Sequence, residues 1–219
     1  MRRWTAALGA AALAGVLAGC GAGSDARSGQ PPVAGVSIQD DDGLNGVVLP
    51  KPYVVPDLTL ENAGGRPYDL AKDATKPLTL VFFGYTNCPD ICQVVMANIA
   101  SSLTRLDAAQ RAKVQMEFVT TDPARDDTRT LRAYVHRFDP SFDGLTGDLP
   151  TIVRLGKAFD VPVEKGQKLA SGGYDVAHGT QIVGVLPDGR APFVWTEGTD
   201  PAALAQDITT ILDDKVPGL

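Results

Sequence analysis

The run LTLVFFGY, Leu78 to Tyr85, constrains this chain more than any other stretch. It is apolar, β-branched or aromatic almost throughout, so a strand made from it offers no face to water and must be buried on both sides. Such a strand needs a layer on each face, which points to a sheet covered by helices. The chain can supply those layers: it has 219 residues, 44% hydrophobic and 21% charged, enough for one ordinary domain with a real core.

The flanking patterns agree with an α/β fold. YVVPDLTLENAGGRPYDL predicts two short strands joined by a turn at Ala63-Gly64-Gly65-Arg66, an N-terminal β-hairpin whose paired glycines supply positive φ. After Tyr85 a helix is expected, with Pro89 in its first turn and Ile91, Val94, Val95, Ile99, Leu103 and Leu106 at helical spacing. VQMEFVTTD reads as the next strand, and DDTRTLRAYVHRFD as a helix with Leu131, Tyr134, Val135 and Phe138 on one face. LPTIVRLGKAFDV predicts a further helix, and HGTQIVGVLPDGRAPFVWT a hairpin turning at Pro187-Asp188-Gly189. DPAALAQDITTILDD closes the chain as an amphipathic helix with Asp200 as N-cap and Pro201 behind it. The order β-β-β-α-β-α-α-β-β-α implies a mixed sheet flanked by helices on both faces.

Residues 1–19 form a separate object. MRRWTAALGAAALAGVLAGC starts with Arg2 and Arg3, continues through an Ala/Leu/Val/Gly segment of signal-peptide length, and is too short to span a bilayer comfortably. It ends in LAGC, Leu17 to Cys20, which resembles the lipobox of bacterial lipoproteins, where the cysteine is lipidated and becomes the first residue. The expected mature chain starts at Cys20 and is held at the extracytoplasmic face of the cell membrane. Residues 20–46, rich in Gly, Ser, Asp and Pro, read as a flexible tether, and residues 47–219 as the folded domain. The full chain has 20 basic and 26 acidic side chains and a net charge of -6, with no basic cluster able to neutralise a phosphate backbone. The charge pattern therefore argues against nucleic acid as a partner.

The strand at 78–85 runs into TNCPDIC, which places Cys88 and Cys92 in a turn entering a helix at a strand's C-terminal end, where open α/β sheets build their sites. Positive charge at a helix N-terminus is expected to lower a cysteine pKa and favour the thiolate. Residues four apart on a regular helix hold their Cβ atoms about 5–6 Å apart, wider than the roughly 3.5–4.5 Å of a disulfide. That separation suits two sulfurs converging on one metal ion, and leaves dithiol chemistry or a structural disulfide open. The chain has two histidines. His136 sits amid charge on a predicted helix and reads as solvated surface. His178 follows the glycine-rich ASGGY and precedes a strand, so a loop can carry it over the sheet edge. Two thiolates with one imidazole make a soft, low-coordinate donor set that favours copper over a closed zinc site.

Three segments, FFGYTNCPDIC, VTTDPARDDTRTLRAYV and YDVAHGTQIVGVLPDGR, occur in the order and approximate spacing of the Sco/SenC family, and the similarity runs from about Val47 to the C-terminus. The resemblance implies a thioredoxin-like domain, tethered to a membrane outside the cytoplasm, that binds one copper ion as Cu(I) or Cu(II) through Cys88, Cys92 and His178. It implies a role in assembling the dinuclear copper centre of cytochrome c oxidase, with the oxidase's copper-binding subunit or another copper or thiol protein as partner. Asp90, and Asp122 with Pro123, match positions that in the family shape the site or help meet partners. Gln93 stands where many members have proline, and Ala177 where an aspartate commonly precedes the histidine. The rival reading is a thiol-disulfide oxidoreductase, in which Cys88 attacks a partner disulfide and Cys92 resolves it without needing His178. A copper or redox sensor is a further alternative. A peroxiredoxin is discounted, because Thr86 lies two residues before Cys88 where that pattern places threonine three before its cysteine.

Overall fold

Sixteen short elements build the domain in the computed structural model, which describes residues 43–168 and 174–216, with side chains for 43–164 and 179–216. The expected leader, Cys20 and the expected tether before residue 43 lie outside the described residues. In chain order the elements are β1 (Val47–Val54), β2 (Thr59–Asn62), β3 (Pro67–Asp69), α1 (Leu70–Asp73), β4 (Leu78–Gly84), α2 (Ile91–Leu103), α3 (Ala108–Ala112) and β5 (Val114–Thr120). There follow α4 (Thr128–Val135), β6 (Asp143–Thr146), α5 (Leu149–Ala158), β7 (Val163–Lys168), β8 (Tyr174–His178), β9 (Ile182–Val185), β10 (Arg190–Trp195) and α6 (Pro201–Leu212).

Eight strands form one mixed sheet in the order β1-β10-β9-β4-β5-β6-β2-β3, parallel across β4, β5 and β6 and antiparallel elsewhere. β7 and β8 pair separately as a two-stranded ribbon. Every residue of β4 is buried, as its sequence requires. Leu78, Leu80 and Phe82 enter one core with residues of α2 and α6, while Val81 and Phe83 enter a second core with residues of α5. The sheet is therefore covered on both faces.

The helix starts follow from their caps. Asp127, Asp148 and Asp200 accept from the backbone N–H of Thr130, Thr151 and Ala202, each at 2.7 Å, and Asp107 forms a reciprocal capping box with Gln110. The hairpin expected at 63–66 forms between β2 and β3, and the one expected at 187–189 between β9 and β10. Several elements have no counterpart in the sequence reading. β1 contains Pro50 and Pro52, which argue against a central strand; it survives because it lies at the sheet edge, with a register break between Val48 and Tyr53. β6 is four residues long, and β7, VEKGQK, carries no alternating pattern.

Two features tie the ends of the sheet. Asp207 on α6, fully buried, accepts from the backbone N–H of Asn45 and Gly46 and from the Trp195 indole at 2.8 Å, and so fixes where the chain enters the domain. Glu117 on β5 is fully buried in the second layer: Tyr68 Oη donates to its Oε1 at 3.1 Å, Gln115 Nε2 donates to the same oxygen, and Oε2 has no partner. Burial, with Asp143 adding to it, pushes the Glu117 carboxyl up to about 8.

Candidate metal centre

β4 ends at Gly84 and the chain turns at once, the Cys88 N–H donating to the Tyr85 carbonyl at 3.1 Å. α2 begins at Ile91 with Asp90 as its N-cap, so Pro89 lies before the helix and not in its first turn as the sequence suggested. The consequence is chemical. Cys88 belongs to the turn and Cys92 to the first turn of the helix, so their separation is not that of two residues on one regular helix. The two sulfurs are reduced, share a hydrogen bond and are almost wholly buried, Cys88 at 5% exposure and Cys92 at 0%.

That contact reverses the expected effect on acidity. The hydrogen bond to Cys88 and then burial push the Cys92 thiol far above the ordinary thiol range, against a smaller opposing pull from the Tyr85 backbone. The helix N-terminus does not make Cys92 an easy thiolate. Gly84 is required beneath it: a Cβ there would stand 2.8 Å from Cys92 Sγ and 2.9 Å from the Phe118 ring, so sulfur and ring press on the same bare stretch of backbone.

The cysteine turn is clamped by a residue the sequence reading passed over. Asp126, fully buried, accepts from Thr86 N–H at 2.9 Å, from Thr86 Oγ1 at 2.6 Å and from Thr120 Oγ1 at 2.7 Å. It links the turn after β4 to the end of β5. Its signal was present in the run of polar residues after a buried strand, but only the fold shows that Asp126, and not its exposed neighbour Asp127, turns inward. Asp122 is also buried and forms an ion pair with Arg125, whose guanidinium lies 5.6 Å from the centre of the Tyr85 ring. The Asp122–Arg125 pair thus lies beside Tyr85. Asp90 is exposed and its side chain makes no capping bond. Gln93 is exposed on α2, which continues unbroken to Leu103.

His178 ends β8, paired in register with Val163, and is therefore in a strand and not the loop expected. Its side chain lies outside the described residues. The backbone places it usefully nonetheless: β9 starts at Ile182 opposite Phe82, near the C-terminal end of β4, and the segment from His178 leads into β9 from that end. Cys88 and Cys92 emerge at the same end. Among the described residues no three metal-binding side chains converge. His136 is exposed at the C-cap of α4. No helix among the described residues is long and apolar enough to cross a membrane.

The sequence model of the SCO1/SenC family matches residues 49–213. The chain belongs to this family. A protein named "Putative copper-binding protein" from Stutzerimonas stutzeri is 32% identical over 152 residues, covering 68% of this chain and 72% of that one. The mitochondrial SCO2 homolog of Danio rerio is 39% identical over 111 residues, covering 50% of this chain and 40% of its own. The chain spans about half or less of the mitochondrial relatives it matches. Among solved structures, copper-bound ScoI of Bradyrhizobium japonicum superposes with a TM-score of 0.64 at 28% identity, covering 72% of this chain and 99% of that one. The fold is that of the thioredoxin-like Sco proteins.

Proposed function

We propose that this SCO1/SenC protein is a copper metallochaperone that holds one copper ion through Cys88, Cys92 and His178 and passes it to the dinuclear copper centre of cytochrome c oxidase. The observation that carries the reading is the pair of buried, reduced sulfurs in mutual contact at the C-terminal end of β4. It is supported by relatives that include a protein named as copper-binding and a ScoI with copper bound. Soft sulfur suits Cu(I), and imidazole adds affinity for Cu(II). Because both cysteines are thiols, loading must release their protons, and the metal supplies the driving force that the buried Cys92 site denies to simple ionisation. The copper is cargo: a site of two or three ligands leaves its shell open to the recipient's own donors.

The sulfur contact also favours a second reading. Cys88, the more exposed of the two, attacks a partner disulfide to form a mixed disulfide; Cys92 then displaces the partner, which leaves as two thiols while Cys88 and Cys92 become a disulfide. The two readings need different residues. His178→Ala in a strain lacking the native protein is expected to fail in oxidase assembly at limiting copper, to recover with added copper, and to keep a cysteine pair that still oxidises and reduces. Full assembly by His178→Ala at limiting copper, with failure of Cys88→Ser and Cys92→Ser, would establish dithiol chemistry and end the copper-donor reading. We place the protein on the outer face of the cell membrane, anchored through lipid on Cys20 of a cleaved leader.

A further inference from the structure

The strand register fixes the end of the sheet at which the chain enters the domain. Val47, at the start of β1, pairs with Val194, one residue from the end of β10. Trp195 pairs with Ile182 of β9, and Ile182 with Phe82 of β4, so these three share one level across the sheet, two residues short of Gly84 and the cysteine turn. Gly46 lies against the Trp195 ring, and before it the Asn45 N–H donates to Asp207 on α6 at 2.9 Å. Asn45 Nδ2 reaches the Ala203 carbonyl at 3.5 Å, one turn nearer the start of α6, which follows β10. The chain therefore arrives at the end that carries Cys88 and Cys92. The other end holds Val54, paired with the first residue of β10, and the close of α6, where Leu212 lines a cavity with Pro187 and Asp188 of the β9–β10 turn.

We propose that the domain is held with its cysteine end toward the membrane, and that the recipient of its copper is a membrane protein whose accepting donors lie close to the bilayer surface. Residues 20–42 lie between the expected lipid anchor and the entry point, and a tether of that length and composition is expected to span about 25–30 Å. Asp207 takes hold of both Asn45 and Gly46, which makes the lower end of the tether a fixed point on the domain. A bilayer excludes every arrangement that puts the bulk of the domain between that point and the lipid, so the entry end is the near end. β1 and β4 are separated by β10 and β9, which puts the cysteine strand about 14 Å to the side of the entry strand at the same height. The far end lies up to about 25 Å further out, the length of β1. This inference rests on the lipid anchor and on the copper reading, and its test separates all three.

Full-length lipidated protein is reconstituted in phosphatidylcholine vesicles that carry an acceptor dye on a lipid headgroup. A fluorescent amino acid is placed at Leu149, exposed where α5 follows the parallel strand β6 at the cysteine end, or at Val54, exposed at the other end. Energy transfer from Leu149 is expected to exceed that from Val54 roughly twofold, given the difference of about 25 Å in height. A Cys20→Ala protein with a lipidated linker of the same length joined to its C-terminus should reverse the order. Both forms are then loaded with Cu(I) and offered a nitrogen chelator coupled to lipid headgroups. In that step Cu(I) leaves the sulfurs, which take up protons from water, and binds the chelator's nitrogens without change of oxidation state. The form anchored at Cys20 should lose copper roughly threefold faster, because its site meets a higher effective concentration of the chelator, while the free chelator in solution should strip both forms equally. Equal energy transfer from the two labels, or equal rates of loss to the headgroup chelator, would overturn the proposal. Protein that stays out of the vesicles because Cys20 carries no lipid would refute the anchor and this inference with it. Protein that enters the vesicles but takes up no copper would refute the copper reading alone, and the energy transfer then decides the orientation.

Discussion

Asp126→Ala tests whether the clamp between β4 and β5 holds the cysteine turn. The carboxylate serves three donors, the Thr86 N–H and hydroxyl and the Thr120 hydroxyl. Thr120 is fully buried, so its hydroxyl proton loses its acceptor with no water to replace it, although the oxygen still accepts from the Asp122 N–H at 3.0 Å, while Thr86 is half-buried and can be rehydrated in part. One buried unsatisfied donor costs about 1–3 kcal/mol and the exchange of the other two bonds for water less than that, so a net loss of about 3 kcal/mol is expected. That is roughly a hundredfold in the unfolding constant. Asp126→Asn keeps the shape but turns an amide against the hydroxyls, and should lose about half as much. Urea unfolding of the reduced, metal-free protein measures both, and the slope should stay unchanged if the native fold is kept. A second readout is local. Thr86 lies two residues before Cys88, so releasing it frees the turn, and Cys88 should react with a thiol reagent faster in Asp126→Ala under native conditions. Thr86→Ala combined with Asp126→Ala should give less than the sum of the single effects, because both remove the Thr86 hydroxyl bond to Asp126. An Asp126→Ala midpoint equal to wild type with unchanged labelling of Cys88 would refute the clamp.

Further outcomes follow from other positions. Glu117, raised from its usual 4.5 to about 8, binds a proton more readily folded than unfolded, so stability should be greatest below about 4.5 as far as this group is concerned and fall as pH rises toward about 8. Glu117→Gln should flatten that decline, and an unaltered pH slope in urea unfolding would refute it. Gly84→Ala forces a methyl group against Cys92 Sγ and Phe118, an overpacking worth about 1–3 kcal/mol, and should weaken Cu(I) binding as the sulfur is displaced; affinity equal to wild type would show the contact to be slack. Cys20→Ala should move the protein from the membrane fraction to the soluble one with copper binding intact, and retention in the membrane would refute the lipid anchor.

Much of this molecule is legible in short stretches of chain. The buried strand of β4, the Asp200 cap with Pro201, the turns at 63–66 and 187–189, and the cysteine pair at a strand's end are local: each depends on residues within one or two turns of one another, where steric preference and periodicity decide. The strands that escaped detection are those whose existence depends on a distant partner. β1 tolerates its prolines because it lies at an edge, and β6 is too short to be recognised without β5 and β2 beside it.

The same division runs through the site. Composition and spacing single out Cys88, Cys92 and His178, since few residue types bind soft metals and this chain has few of them. Whether the cysteines would lie on one helix, how near their sulfurs would come, and whether the helix terminus would make Cys92 acidic were all decided by where α2 starts, and that is set by packing of the turn on Gly84 and the Asp126 clamp. Asp126 reads in the sequence as one acid among several. Its role arises from burial: an inward acid must be satisfied by the donors that the fold brings to it, here the Thr86 and Thr120 groups at the ends of two neighbouring strands.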